Sequence, residues 1–221
     1  MGKIQTIEQA RRLIDSHSTI MVGGFLKCGH PEILVKELLL ENEVDHLTII
    51  SNDTATNENS FNALVQSGKV TKIHSSYIGG NRATGKFFID FPEKITLYPQ
   101  GSLAEKIRCG GAGLGGVLTP VGIGTIVEKD KEIIERSGKR YILEEALNAD
   151  TALIYAKRGD EEGNLEMIGT QINFNPLMAM AAKQTIALVD EIVPLGAISP
   201  ERIVVPGIYV NCMIDGRKLD E

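Results

Sequence analysis

An apolar run that ends at paired glycines and gives way to a helix constrains this chain more than any other feature. The segment reads Thr19-Ile-Met-Val-Gly-Gly-Phe-Leu-Lys-Cys-Gly-His-Pro31. Residues 19–22 are apolar and β-branched enough for a buried strand. Gly23, Gly24 and Gly29 then supply a turn, and residues 31–40 read as a helix with Pro31 at its first position, where a missing N–H costs nothing. A buried strand that turns through glycines into a helix brings backbone N–H groups together at a positive helix end. Such a point suits an anion, a phosphate in particular.

The same alternation continues along the chain. Thr6-Ile-Glu-Gln9 has the form of a capping box, and Ile7, Ala10, Leu13 and Ile14 follow at helical spacing, so residues 6–17 are expected to be helical. Strands are expected at residues 47–50, 70–74, 95–97, 141–143, 151–155, 186–189 and 203–205. Helices are expected at 61–68 and from Pro176 to Ala182. Strands alternating with helices imply an α/β fold, an open and mostly parallel sheet with helices on both faces. Ligands of such sheets bind beyond the carboxyl ends of the strands. Nothing resembling a repeat or a linker divides the sequence, so residues 1–221 are read as a single domain. The charged end, residues 215–221, is expected to fray.

Composition narrows the function. The 221 residues are 43% hydrophobic and 24% charged, with a formal net charge of −6. Broad binding to nucleic acid or to an anionic membrane needs a basic face, which this balance argues against. An anionic ligand would rest on backbone dipoles and a few local cations. The N-terminus has no signal-peptide core, and no apolar run approaches the roughly 20 residues of a membrane span. Cys28, Cys109 and Cys212 are an odd number without metal spacing, which reads as reduced thiols in a cytoplasmic protein. No His, Asp and Cys cluster has ligand spacing along the sequence, so no metal is expected.

Seven of the 23 glycines fall between Gly110 and Gly124. Glycine loses much conformational freedom on folding, so this density needs a reason. The run is apolar, with few of the Ser, Asn and charged residues of a bare flexible loop. Close approach to other backbone or to a ligand is therefore the leading explanation, with a plain loop as the alternative.

The first segment also resembles the glycine-rich signature of the alpha subunits of family I CoA-transferases: an apolar triplet, Gly-Gly-Phe, three residues, Gly, one residue, Pro. Every element is present at residues 20–31. Pro99-Gln-Gly-Ser-Leu103 ahead of Ile107-Arg-Cys-Gly-Gly-Ala-Gly113 is similar to a second family segment. Ser51-Asn-Asp-Thr54, Gly163-Asn-Leu165, Asn173-Phe-Asn-Pro176 and Val205-Pro-Gly207 add further matches, so the resemblance runs over about residues 5–212. It is closest to the acetate or butyrate–acetoacetate type.

The resemblance implies a ping-pong transfer of CoA between short-chain carboxylic acids through a covalent glutamyl intermediate. It places the nucleophilic Glu on a separate beta subunit, in a Ser-Glu-Asn-Gly-like turn that this sequence lacks. Glu58, in Asn57-Glu-Asn-Ser60, and Glu162 are the nearest decoys. It further implies an alpha/beta heteromer, expected as alpha2beta2, with CoA as a substrate and no permanently bound cofactor. Gly23, Gly24, Phe25, Leu26, Lys27, Cys28 and Gly29 become the candidate CoA-binding loop. Gln100 becomes the candidate oxyanion donor, and Asn52 the residue that positions the partner's glutamate.

Each of these has a plainer alternative. Gln100 could cap the helix that follows, and Asn52 could simply turn the chain after a strand. Lys27 could be a solvated lysine, Cys28 an inert small side chain, and His30 a helix cap. His74 reads as a structural histidine, Arg108 as a phosphate or carboxylate ligand or the partner of Glu105, and Phe25 as packed under the loop. Two other functions stay open at this level: a stand-alone α/β enzyme acting on a nucleotide or sugar phosphate, and a ligand-binding or regulatory module. The first lacks a Gly-x-Gly-x-x-Gly with a ribose-binding acid.

Overall fold

The computed structural model describes residues 2–219. Its main sheet holds β1 (Thr19–Val22), β2 (Leu47–Ser51), β3 (Val70–Ser75), β4 (Ile95–Leu97), β8 (Ala149–Asp160), β10 (Ala182–Val193) and β11 (Cys212–Asp215) in the order β11-β10-β8-β1-β2-β3-β4. All six pairings in that path are parallel. The short β9 (Leu165–Glu166) pairs antiparallel with β8. The chain starts near the middle with β1, moves outward to β4, and later returns on the other side of β1 as β8. The order therefore reverses between β1 and β8, where α/β sheets open a crevice for ligands.

Both sheet faces are covered, as the alternation predicts. Ile20, Val22 and Ile49 face a core completed by α1 (Ile7–Arg11), α2 (Glu32–Leu34), α3 (Ser60–Gln66) and α4 (Arg82–Asp90). Met21, Ile50 and Ala152 face the other core, completed by α5 (Gln100–Gly111) and α6 (Asn175–Ala181). Successive strand residues point to opposite faces, so a strand buried on both reads as an unbroken apolar run.

Four expectations need correction. The first helix spans Ile7–Arg11 and stops well short of residue 17. Its capping box forms as read, with the Thr6 side chain accepting from the Gln9 amide. Beyond it, the Ser18 hydroxyl donates to the Asp15 carbonyl at 2.5 Å and His17 takes a left-handed φ of 63°, which turns the chain into β1. The helix after Pro31 begins at Glu32 and winds from Val35 to Leu40 as a π-helix. Residues 141–143 belong to β7 (Lys139–Glu145), which lies between β5 (Gly116–Thr119) and β6 (Ile133–Arg136) in a separate antiparallel sheet. Residues 203–205 form no strand. Pro200 and Pro206 bracket them, and one bridge joins Val205 to Leu165. At the other end of the chain, Gly216–Leu219 makes a 3₁₀ turn, and residues 220 and 221 lie outside the described residues.

The dense glycines serve close packing at several positions. A Cβ on Gly110 would overlap the Leu147 carbonyl, and one on Gly111 would stand 2.8 Å from Met180 Cβ. The end of α5 can therefore lie against the start of β8 and the end of α6. Gly113, Gly115 and Gly124 have open space where a Cβ would be, so the plain-loop reading holds there.

Candidate active site

The carboxyl ends of β1, β2, β3 and the residues after β4 meet in one hydrogen-bonded cluster. At its centre is Asn52, the residue after β2, only 2% exposed. Its Nδ2 donates to Asp53 Oδ2 at 2.7 Å. Its Oδ1 accepts from Gln100 Nε2 at 2.8 Å and lies 2.9 Å from the Ser76 hydroxyl. An ionised carboxylate only accepts, so Asp53 obliges Asn52 to present its amide nitrogen there. Oδ1 then faces Gln100, which must answer with its own NH2. Asp53 thus sets the orientation of two amides in series.

Gln100 is exposed and opens α5 directly after Pro99, the N-cap residue. No side chain caps this helix. The Gln100 amide reaches across to β2, so the capping reading fails. A primary amide nitrogen carries two hydrogens. Asn52 takes one, and the second has no partner among the described residues. Ser75 and Ser76 complete the cluster. The Ser76 amide donates to the Asn52 carbonyl at 2.9 Å, its hydroxyl reaches the same oxygen at 2.7 Å, and the Ser75 hydroxyl adds a third contact at 3.1 Å. Sequence reading missed both serines. The only available signal was a polar pair at a strand's carboxyl end, which is a common ending.

The glycine loop is a tight hairpin. The amides of Phe25 and Cys28 each donate to the other's carbonyl at 2.9 Å, with Leu26 at φ 52° and Lys27 at the tip. Asp53 fastens it, accepting from the Leu26 amide at 2.9 Å on the oxygen that also holds Asn52. Asn175, fully buried, fastens the other side. Its Nδ2 donates to the carbonyls of Gly29 and Gln171, both at 3.0 Å, and its Oδ1 accepts from the Tyr155 amide. A Cβ on Gly23 would overlap the Asn175 carboxamide, and one on Gly24 would lie 2.9 Å from His30 Cα.

The local physics of the loop differs from the expectation. The Gly23 amide donates to Leu153, and the amides of Phe25, Leu26 and Cys28 are also committed within the chain. They do not converge on an empty anion site. At the start of α2 the Glu32 carboxylate accepts from the Ser60 amide and hydroxyl at 2.6 and 2.5 Å. What the loop presents is side chains: Phe25, Leu26, Lys27 and Cys28 are all exposed. Phe25, 41% exposed, is not packed beneath the loop.

The remaining candidates take structural roles. Lys27 pairs on the surface with Glu58 at 2.8 Å, which holds the Glu58 carboxyl below its usual range. Arg108 pairs with Glu105 at 2.8 Å. His30 does not cap the helix. Its ring is buried, with Nδ1 3.4 Å from the Gly23 carbonyl and Nε2 3.5 Å from Glu32, and burial pushes its pKa down. His74 Nδ1 lies 3.0 Å from the Tyr98 hydroxyl; burial, then Lys72 and Lys106, lower it to about 4. Cys28 is exposed, whereas Cys109 and Cys212 are buried, and burial pushes the Cys212 thiol up to about 12. Glu162 is exposed in the turn between β8 and β9.

The cluster can therefore polarise an acyl oxygen through Gln100. Asp53, the carboxylate that touches it, already accepts three hydrogen bonds, from Asn52, Leu26 and Ala55, and has little freedom to attack an acyl group.

Comparison with known proteins gives a consistent result. The family model described as coenzyme A transferase matches residues 4–215. The chain is 46% identical over 212 residues to the acetate CoA-transferase subunit alpha of Escherichia coli (strain K12), covering 96% of both chains. It is 43% identical to the acetoacetyl-CoA:acetate/butyrate CoA transferase alpha subunit of Clostridium acetobutylicum, over 96% of this chain and 97% of that one. Among solved structures, an acyl-CoA transferase from Escherichia coli O157:H7, crystallised as a thioester complex with CoA, superposes with a TM-score of 0.87 at 20% identity. That match covers 98% of this chain but 47% of the longer protein, so this chain spans about half of it. Glutaconate CoA-transferase from Acidaminococcus fermentans superposes with a TM-score of 0.82 at 22% identity, over 96% of this chain and 75% of that one. At these identities the two structures speak for the fold.

Proposed function

The chain belongs to the coenzyme A transferase family, and we propose that it is the alpha subunit of a short-chain acyl-CoA:carboxylate CoA-transferase of the acetate or butyrate–acetoacetate type. The Gln100–Asn52 pair carries this reading. It supplies an amide N–H at the carboxyl end of a parallel sheet, held at a fixed angle by Asp53, with no free carboxylate in the cluster to act as nucleophile. That is half of an acyl-transfer site.

A glutamate from a beta subunit supplies the other half. Its carboxylate attacks the thioester carbonyl of the acyl-CoA, and CoA leaves as thiolate. The thiolate then attacks the glutamyl carbonyl of the resulting anhydride, which releases the first acid and leaves a glutamyl-CoA thioester. The incoming carboxylate attacks that thioester, and the thiolate returns to complete the new acyl-CoA. Gln100 donates to the oxygen that gains charge in each addition, and one such donor is typically worth about 10²–10³ in rate. Residues 23–29 border the site and contact CoA through the exposed side chains of the hairpin, in an alpha2beta2 assembly in the cytoplasm. Among the described residues no helix is long and apolar enough to cross a membrane.

The test is consumption of acetoacetyl-CoA with acetate or butyrate as acceptor. The chain is assayed alone and after co-expression with its candidate beta subunit. Activity in the mixture only is expected. Full activity of the single chain would place the nucleophile here and return attention to Glu58 and Glu162. Inactivity in both would overturn the proposed substrate class.

A further inference from the structure

The opposite end of the sheet holds a second cluster that acyl transfer does not use. His17 lies in the turn before β1, and Asp45 and His46 lie in the turn before β2. One ligand atom from each of the three comes within 4.8 Å of the others. The two imidazole rings stack with centroids 4.6 Å apart and planes 23° from parallel. His46 Nδ1 stands 3.0 Å from Asp45 Oδ1. Sequence spacing conceals the cluster, because the parallel pairing of β1 with β2, Thr19 opposite Thr48, is what brings the two turns together.

The backbone shows that these turns are built rather than loose. His17 and His46 both take left-handed φ, at 63° and 55°, a region in which histidine, like asparagine and aspartate, is enriched among non-glycine residues. The turns are also tied to each other, since the His17 amide donates to the Asp45 carbonyl at 3.0 Å and the Asp45 amide to the Ser16 hydroxyl at 3.1 Å.

We propose that His17, Asp45 and His46 form a surface site for a borderline divalent transition metal, with Zn²⁺ the fitting ion, which clips the entrance of β1 to the entrance of β2. Two imidazoles and a carboxylate suit Zn²⁺, with water as a fourth ligand. Tetrahedral bonds of about 2.0–2.1 Å place ligand atoms roughly 3.4 Å apart. Reaching that spacing requires the stacked rings to turn until their nitrogens converge on one point, a movement the exposed side chains of His46 and Asp45, 56% and 55% exposed, leave room for. The four residues of β1, about 13 Å of strand, separate this site from the glycine loop. At that distance the metal takes no part in the transfer.

The experiment is equilibrium dialysis of the full chain against Zn²⁺, in a Cys28→Ser background that removes the exposed thiol as a competing ligand. His17→Asn and His46→Asn are the test variants, because Asn tolerates left-handed φ and deletes the imidazole. One Zn²⁺ per chain is expected, with affinity falling at least 10–100-fold in either variant, since even outer partners of metal ligands cost that much. Unchanged circular dichroism without metal would show that the variants fold. A Co²⁺-loaded sample should show the visible absorption of a tetrahedral ion, lost in His46→Asn. Absence of saturable binding, or binding equal in all three proteins, would overturn the proposal.

Discussion

The Nε2 of Gln100 donates to Oδ1 of Asn52 across 2.8 Å and 48 residues of sequence. It joins the start of α5 to the end of β2, and the direction of the bond is dictated by a third residue, Asp53. The cluster is thus oriented from its buried end outward, and its outermost amide, Gln100, is exposed and has a hydrogen left for a ligand.

Replacing Gln100 by Ala should therefore act on the chemical step. We expect kcat of the assembled enzyme to fall by about 10²–10³ with little change in KM for the acyl-CoA. Steady-state kinetics would decide. A rise in KM at constant kcat would mean that Gln100 only binds the ground state.

Ser76→Ala removes one partner of Asn52 while leaving the Asp53 anchor in place. The expected cost is about 1 kcal/mol of stability, roughly 2–4 °C in melting temperature, with a loss of kcat of no more than about fivefold. A loss as large as that of Gln100→Ala would give the hydroxyl a direct role at the reacting oxygen.

Gly23→Ala tests the packing of the loop. The added methyl would collide with the Asn175 carboxamide, which itself holds Gly29 and Tyr155. Urea unfolding should show a loss of about 1–3 kcal/mol. Gly23→Ala combined with Asn175→Ala should cost less than the two single changes added together, because the clash exists only while Asn175 is present.

The half-buried His74 makes stability depend on pH. Its pKa is about 4 in the folded chain against an ordinary 6.5. The unfolded chain therefore takes up the proton first, so stability is whole above pH 6.5 and is lost as pH falls from 6.5 toward 4. The full shift corresponds to roughly 3 kcal/mol, and partial exposure reduces this to about 1–2 kcal/mol. Melting temperatures of the parent and His74→Gln should converge over that window as pH drops. Parallel curves would show that His74 does not titrate as described.

Glu58→Gln separates a decoy from a nucleophile. Glu58 is solvated and paired with Lys27 beside the loop. The assembled enzyme should keep its activity within about twofold, because solvent screens an ion pair this exposed. Loss of transfer would bring the nucleophile onto this chain.

Much of this architecture is legible in the residues. Strands buried on both faces show as apolar runs, glycines and prolines mark where they turn, and Thr6 with Gln9 announces the first helix start. What misled were local signals that tertiary contacts override. The periodicity of Leu13 and Ile14 continues past Arg11, but the turn toward β1 ends the helix first. The β-branched run at 203–205 looks like a strand, but the flanking prolines deny it a ladder.

The sequence by itself determined the strand–turn–helix alternation, the family motifs, and the placement of Asn52 just after one strand and of Gln100 in the segment that follows another, because these follow from local periodicity and short spacing. Only the tertiary structure decided that Asp53 orients Asn52 and Gln100, that Asn175 explains Gly23, that the amides of Gly23, Phe25, Leu26 and Cys28 are already committed, and that His17 meets Asp45 and His46. Each of those depends on which strands lie side by side. That neighbour relation is set by the packing of two cores against one sheet, and no local stretch of sequence carries it.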